Sequence, residues 1–220
     1  MIHAFSPHFP SPDEGLIELA RRIRRPLQLV LAGMLICGPL SLGVRADNTA
    51  AEEQRLTVVI LKGPQLLEVR ENGSSVRTYR VCLGLDPVGP KRALGDKKTP
   101  EGDYFICLKS TESQFHRFLG ISYPGAQDAQ AAFEKGMISL DERDSIIRKV
   151  EQGEAPPWNT KLGGWVGIHG YPSVEYHRRW ASILFPKPWN WTDGCIALWN
   201  FEIEELFSRV KLGTPVKILP

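Results

Sequence analysis

From residue 56 onward, short apolar segments rich in β-branched residues alternate with polar turns, a pattern that predicts strands rather than long helices. Asn72-Gly73 separates two of these segments and predicts a hairpin, because both residues tolerate the positive φ of a tight turn. The predicted strands are LTVVILK (56–62), QLLEVR (65–70), SVRTYRVCL (75–83), DYFICLKS (103–110), RFLGISYP (117–124), GGWVGIHG (163–170) and TPVKILP (214–220).

Helical spacing occurs in three places. Residues 127–135 form the first candidate helix. Ser139 and Glu142 have the spacing of a capping box, which predicts a second helix that ends near Gln152. A third helix is predicted after Asn200 as its N-cap, with its apolar face formed by Ile203, Leu206, Phe207 and Val210. Many short strands and few helices predict a mostly β domain with small helices, either a sandwich or a partly closed barrel.

The N-terminal segment has a different pattern. An uncharged apolar run, LQLVLAGMLICGPLSLGV (27–44), follows the four arginines of RRIRRP (21–26), and small residues flank Arg45 as a signal peptidase requires. Residues 1–46 are therefore predicted to form a hydrophobic leader helix, either a secretory signal cleaved after Ala46 or a signal anchor. A polar linker at 47–55 would then lead into a domain at 56–220. We expect export to the periplasm or cell wall, with inner-membrane anchoring as the alternative.

Composition narrows the possible functions. The 220 residues include 42% hydrophobic residues, which suffices for one core of ordinary size. The 27 basic and 25 acidic residues give a net charge of +2, which is too even to indicate a nucleic-acid partner. The histidines are too scattered to indicate a metal cluster, and no phosphate-binding loop is present. We therefore expect neither a metal nor another cofactor.

Four cysteines are present, and Cys37 belongs to the leader. The remaining three, Cys82, Cys107 and Cys195, leave at least one free thiol or one that pairs with another chain. Cys82 and Cys107 lie within apolar strand candidates and are predicted to be non-catalytic. We favour two buried thiols over a disulfide between them.

Cys195 lies in a different setting, directly after an Asp-Gly turn. A thiol attacks as its thiolate, and a free cysteine has a pKa near 8.5, so a nearby base is required. His169 ends an apolar strand, where packing fixes its position, and Gly170 lets the chain turn sharply. Gly194 allows backbone amides near Cys195 to converge on an oxyanion. Either residue alone would more often be structural, but together they indicate an acyl-transfer site.

His177 is the alternative base. It lies in EYHRR (175–179), where the flanking arginines indicate a solvated loop or a lid. General-base catalysis requires hydrogen-bond reach to the thiol, which favours the rigidly held His169.

At these residues the chain resembles the L,D-transpeptidase catalytic-domain family, which has a YkuD-like fold. The family carries a histidine followed by a small residue, here His169-Gly170, and later a Ser/Thr-x-Gly-Cys motif, here residues 192–195. The resemblance extends from about Leu56 to Leu219. Further stretches that resemble the family are GDKKTPEG (95–102), FHRFLGISYP (115–124) and LGGWVGIHG (162–170).

The chain departs from the family pattern at two points. The family often has a second histidine at the position of Asp193. One branch of the family has an aspartate there, as this chain does. The interval of 26 residues between His169 and Cys195 is longer than the commonest one, and the extra length lies within residues 171–191. This segment is a candidate lid, and it leaves the substrate preference open.

The resemblance implies a cross-linking reaction on peptidoglycan stem peptides. Cys195 would attack the carbonyl of an L-centre in a stem tetrapeptide and release the terminal D-residue. The thioester would then pass to an amine of a second stem peptide. His169 would act as general base, with its tautomer fixed by the Gly170 carbonyl. The amides of Gly194 and Cys195 would form the oxyanion pocket.

Substrate contacts are expected from Thr192, Trp191 and Tyr123, with a place in the core as the alternative for the two aromatic residues. The expected partners are stem peptides, and the membrane only through an uncleaved leader. We expect a monomer.

Two other functions stay open. One is a hydrolase that uses water as the acceptor, as an L,D-carboxypeptidase or an enzyme that releases wall-linked proteins. The other is a non-catalytic peptidoglycan-binding module.

Overall fold

A computed structural model of the chain describes residues 56–172 and 190–220. The predicted leader, anchor and linker at 1–55 lie outside the described residues, as do residues 173–189 with His177. Within the two described ranges, no helix combines the length and the apolar character needed to cross a bilayer.

The described chain is mostly β with small helices, which confirms the predicted class. The strands are β1 (Leu56–Leu61), β2 (Leu66–Glu71), β3 (Ser74–Arg80), β4 (Gly102–Ser113), β5 (His116–Ile121), β6 (Gly167–His169), β7 (Ile196–Ala197) and β8 (Pro215–Leu219). The helices are α1 (Ala126–Glu134), α2 (Leu140–Glu151) and α3 (Asn200–Arg209).

All these strands belong to one sheet, in the order β3-β2-β1-β8-β4-β5-β6-β7. The C-terminal strand β8 lies in its centre, parallel to β1 and antiparallel to β4. The sheet does not close into a barrel. The segment after β3 approaches the β7 region through isolated bridges, Cys82 with Ala197 and Gly84 with Thr192. The polypeptide around β7 is thereby held between β6 and the segment that follows β3.

Two local predictions are confirmed at the level of backbone geometry. Asn72 and Gly73 have φ of 50° and 84° and join β2 to β3 as a tight hairpin. Ser139 caps α2, since its hydroxyl accepts the Glu142 N–H at 3.2 Å while the Glu142 carboxylate accepts the Ser139 N–H at 2.9 Å. Both features depend on residues a few positions apart, and sequence pattern captures such features well.

The main core lies directly behind β6 and β7. Ile168 and Ile196, from these two strands, are fully buried and pack in one cluster with Ile203 and Leu206 of α3. Burial of an aliphatic side chain of this size contributes about 1.5–3 kcal/mol. The core therefore fixes the two strands from behind and leaves their other face for the site. A second cluster, which includes Ala129, Ala132 and Ile146, joins α1 to α2.

Candidate active site

The structure places Cys195, directly before β7, on the same side of the sheet as His169 of β6. β6 and β7 are parallel, with Ile168 opposite Ile196 and His169 opposite Ala197. Side chains alternate between the two faces of a strand, so Cys195, two residues before Ala197, shares the face of His169. The isoleucines point to the core on the other face. The strand β7 was not predicted, because two residues are too few to show a period.

The imidazole of His169 is oriented by its own neighbour. It is 2% exposed, and its Nδ1 lies 2.7 Å from the carbonyl oxygen of Gly170. A carbonyl only accepts hydrogen bonds, so Nδ1 carries the hydrogen and Nε2 is the basic nitrogen. Phe115 stacks on the ring with a centroid distance of 4.5 Å. This is the tautomer that the family resemblance implied.

Burial keeps His169 uncharged. Desolvation lowers its pKa to about 4, although the hydrogen bond to the Gly170 carbonyl acts in the opposite direction. The imidazole is therefore neutral at pH 7 and can accept a proton.

The thiol of Cys195 is also uncharged at rest. It is half-buried, and its Sγ donates to the carbonyl of Trp165 at 3.5 Å. Desolvation raises its pKa to about 11; the Gly167 N–H and the charge of Lys91 lower it, while Asp193 raises it. A neutral thiol and a neutral imidazole favour proton transfer during the attack rather than a preformed ion pair.

We expect iodoacetamide to alkylate Cys195 slowly at pH 7, with a rate that rises roughly tenfold per pH unit up to pH 9.5, because only the thiolate reacts. The rate would be followed by mass spectrometry of the peptide that contains Cys195. The unfolded chain is the control, since its thiols should level off above their ordinary pKa of about 8.5. A plateau below pH 8 in the folded protein would show a preformed thiolate and contradict this expectation.

Thr192 organises the turn before Cys195. Its hydroxyl donates to the Cys195 carbonyl at 2.7 Å and accepts the Gly194 N–H at 3.2 Å. The side chain is 4% exposed, with both bonds inside the loop. In this structure Thr192 shapes the nucleophile loop, and its predicted contact with substrate stays a prediction.

The same hydrogen bonds bear on the oxyanion pocket. The Gly194 N–H is engaged by Thr192, so this structure offers only one of the two predicted amides. The Cys195 N–H has no hydrogen-bond partner in the described part of the chain. The oxyanion pocket stays a prediction, and the Gly194 amide would have to leave the Thr192 hydroxyl to take part in it.

Glycine is required at position 194. Its φ is +128°, and a Cβ there would lie 2.5 Å from the carbonyl oxygen of Lys98.

Asn200 packs closely against Gly170, where a Cβ would lie 2.5 Å from Oδ1 of Asn200. Asn200 was predicted to cap α3, but Trp199 occupies the N-cap position. Asn200 instead accepts the Tyr171 N–H at 2.7 Å and anchors the chain just after the catalytic histidine candidate.

The two aromatic candidates differ in position. Tyr123 is 0% exposed, and its hydroxyl donates to the Leu162 carbonyl at 3.2 Å. It has no surface for a substrate, so this prediction is corrected to the core alternative. Trp191 is half-buried beside the imidazole, with a centroid distance of 5.8 Å to His169. Its contact with substrate stays a prediction.

Sequence reasoning missed Trp165, whose carbonyl receives the thiol hydrogen bond. The predicted strand at 163–170 is a strand only from Gly167, and Trp165 has a φ of 54°. Gly163-Gly164 is a turn signal that could have indicated this. Cys107 is half-buried, and Cys82 Sγ lies 2.9 Å from the Tyr171 hydroxyl. Across residues 56–172 and 190–220, no three His, Cys, Asp or Glu residues converge as a metal site would require.

Several solved structures are similar to this chain. The helical cell shape determining protein Pgp2 from Campylobacter jejuni is 21% identical, with a TM-score of 0.50 over 76% of this chain and 48% of that chain. Bd1075 from Bdellovibrio bacteriovorus is 20% identical, with a TM-score of 0.47 over 76% and 48%. L,D-transpeptidase 1 from Mycobacterium tuberculosis is 16% identical, with a TM-score of 0.40 over 76% and 62%. The chain thus spans about half the length of the first two structures.

The comparison with curated proteins found no match. The profile of the L,D-transpeptidase catalytic domain (YkuD) matches residues 54–218, which include both His169 and Cys195. Because this match covers well over half of the 220 residues, the chain belongs to the family of L,D-transpeptidase catalytic domains.

Proposed function

We propose that this protein is an exported L,D-transpeptidase that forms or remodels peptidoglycan cross-links through an acyl-enzyme on Cys195. The observation that carries the proposal is the placement of Cys195 and a neutral His169 on one face of β6 and β7. Membership of the family supports the reaction class. The apolar leader supports export, either with cleavage or with retention as an inner-membrane anchor. We propose a monomer that acts on stem peptides.

In the first half-reaction the thiol of Cys195 leaves the Trp165 carbonyl and attacks the carbonyl of the L-centre. Nε2 of His169 takes the thiol proton as the S–C bond forms, and the Cys195 N–H stabilises the oxyanion. His169 then gives this proton to the leaving nitrogen as the C–N bond breaks. The products are a thioester on Cys195 and a free D-amino acid.

In the second half-reaction an amine of another stem peptide attacks the thioester. His169 takes a proton from the attacking amine and returns it to the departing thiolate, which restores the resting site. The new amide is the cross-link. Throughout, the Gly170 carbonyl keeps the hydrogen on Nδ1 and stabilises the transient imidazolium.

We expect the purified full-length chain, incubated with disaccharide-tetrapeptide muropeptides, to release the terminal D-residue and form a cross-linked dimer. Cys195→Ala should form neither product, because it lacks the thiol that receives the acyl group. Chromatography with mass spectrometry measures both products.

Two other outcomes of this assay would replace the proposal, one with a hydrolase and the other with a binding module. Shortened monomers without dimers would show a hydrolase that uses water as acceptor. Retention on peptidoglycan sacculi, with no product and no covalent adduct, would show a binding module.

A further inference from the structure

The loop at 91–98 packs directly against the nucleophile turn. Asp96 organises this loop, since its carboxylate accepts the backbone N–H groups of Arg92 at 2.6 Å, Ala93 at 3.0 Å and Lys98 at 3.1 Å. The carbonyl of Lys98 lies so close to Gly194 that no side chain fits between them. The two loops therefore share one backbone contact next to Cys195.

Lys91 and Lys97 of this loop bring positive charge next to the turn that precedes Cys195, and Lys91 is the buried one. Lys91 is 3% exposed, and its ammonium group donates to Asp96 at 2.7 Å and to the Ala93 carbonyl at 3.0 Å. Its side chain passes beneath Gly194, where a Cβ would lie 3.8 Å from Cδ of Lys91. A buried cation so close to the nucleophile turn favours the ionised form of a nearby thiol.

Lys97 forms an ion pair with the acidic residue of the turn. Its Nζ lies 2.6 Å from Oδ1 of Asp193, two residues before Cys195. Both side chains are largely exposed, so the ion pair contributes little to overall stability. Lys97 nevertheless holds a φ of 59°, which is uncommon for a residue other than glycine. Its carbonyl is fixed by the Asp86 N–H at 3.1 Å.

We propose that Lys97 is a positioning residue that offsets the carboxylate of Asp193, while the buried side chain of Lys91 braces the turn at 193–195 from beneath, so that Cys195 can lose its proton. The consequence of this arrangement for acyl transfer rests on the proposed function, but the effect of the arrangement on the thiol does not. Other groups near Cys195 are the Trp165 carbonyl and the Gly167 N–H, and the neutral imidazole of His169 lies on the same side of the sheet. None of these carries a charge that could replace the two lysines.

The test compares Lys97→Asn with Asp193→Asn in the full-length protein. Asparagine tolerates the positive φ of position 97 and removes the charge. We expect Lys97→Asn to slow iodoacetamide alkylation of Cys195 at pH 8 by roughly three- to tenfold, as a rise of half to one unit in the thiol pKa would. Asp193→Asn should accelerate alkylation by a similar factor, and the double variant should return to within about twofold of the wild type, because it has lost one positive and one negative charge whose effects on the thiol are opposite.

Two variants serve as controls. Lys98→Asn removes an equal charge from the same loop, but Lys98 pairs with Asp86 at 2.6 Å rather than with Asp193, so alkylation should stay within about twofold of the wild type. Lys97→Arg keeps the charge and should also preserve the rate. The full dependence of alkylation on pH distinguishes a changed thiol pKa from changed access to the thiol.

The proposal is overturned if Lys97→Asn and Asp193→Asn both leave the rate unchanged, or if both shift it in the same direction. Alkylation uses no peptidoglycan, so this result is separate from the muropeptide assay. If the variants change the alkylation rate as expected but the wild type forms no muropeptide product, the proposed function alone is refuted. If the wild type forms the muropeptide products but the variants leave the alkylation rate unchanged, the role of the lysines alone is refuted.

Discussion

Incubation with a carbapenem is expected to raise the mass of the intact protein by one inhibitor equivalent, through acylation of Cys195. The S–C bond forms as the lactam C–N bond breaks, and the thiol proton passes to the lactam nitrogen, so the whole inhibitor is retained. Cys195 is the thiol that shares a strand face with a neutral imidazole. The adduct should be absent from Cys195→Ala, which intact-protein mass spectrometry measures directly.

Two other thiols provide matched controls for the carbapenem result. Cys82 is 3% exposed and lies against the Tyr171 hydroxyl, while burial raises the pKa of Cys107 to about 12. Cys82→Ala and Cys107→Ala should therefore keep the adduct. If the folded wild type remains unmodified, or if Cys195→Ala is still acylated, the assignment of the nucleophile fails.

His169→Ala is expected to lose acyl transfer by roughly 10²- to 10⁴-fold, the usual effect of removing a positioned general base. The physical reason is the neutral thiol, which burial keeps protonated until a base receives its proton. Rates of D-residue release measure the loss, and circular dichroism checks that the variant is folded. Because the neutral imidazole is the active form, the wild-type rate should persist as pH falls through 6 and 5, and decline toward pH 4.

Two other histidines test whether this loss is specific. His116 is exposed and pairs with Glu204 at 2.8 Å, and asparagine tolerates its φ of 72°, so His116→Asn should keep most of the activity. His177, which lies outside the described residues, is the alternative base, and His177→Ala should also remain active. An inactive His177→Ala beside an active His169→Ala would move the chemistry to the segment at 171–191.

Several features of this protein are determined by the sequence alone. The strand class, the Asn72-Gly73 hairpin and the Ser139 cap follow from residues that are neighbours along the chain, and such local preferences agree with the fold without depending on a tertiary contact. The pairing of His169 with Cys195 was likewise indicated by the two motifs. The family resemblance implied the carbonyl of Gly170 as the partner of the imidazole, and this carbonyl lies 2.7 Å from Nδ1.

Other features are decided only by the tertiary structure, because they depend on residues that are far apart in sequence. The two-residue strand β7 exists because β6 and the segment after β3 pair with it. Tyr123 belongs to the core because the Leu162 carbonyl meets its hydroxyl across 39 positions. Likewise, the ion pair of Lys97 with Asp193 spans 96 positions. The neutral state of the thiol and the imidazole is decided by burial, which no pattern of neighbouring residues specifies.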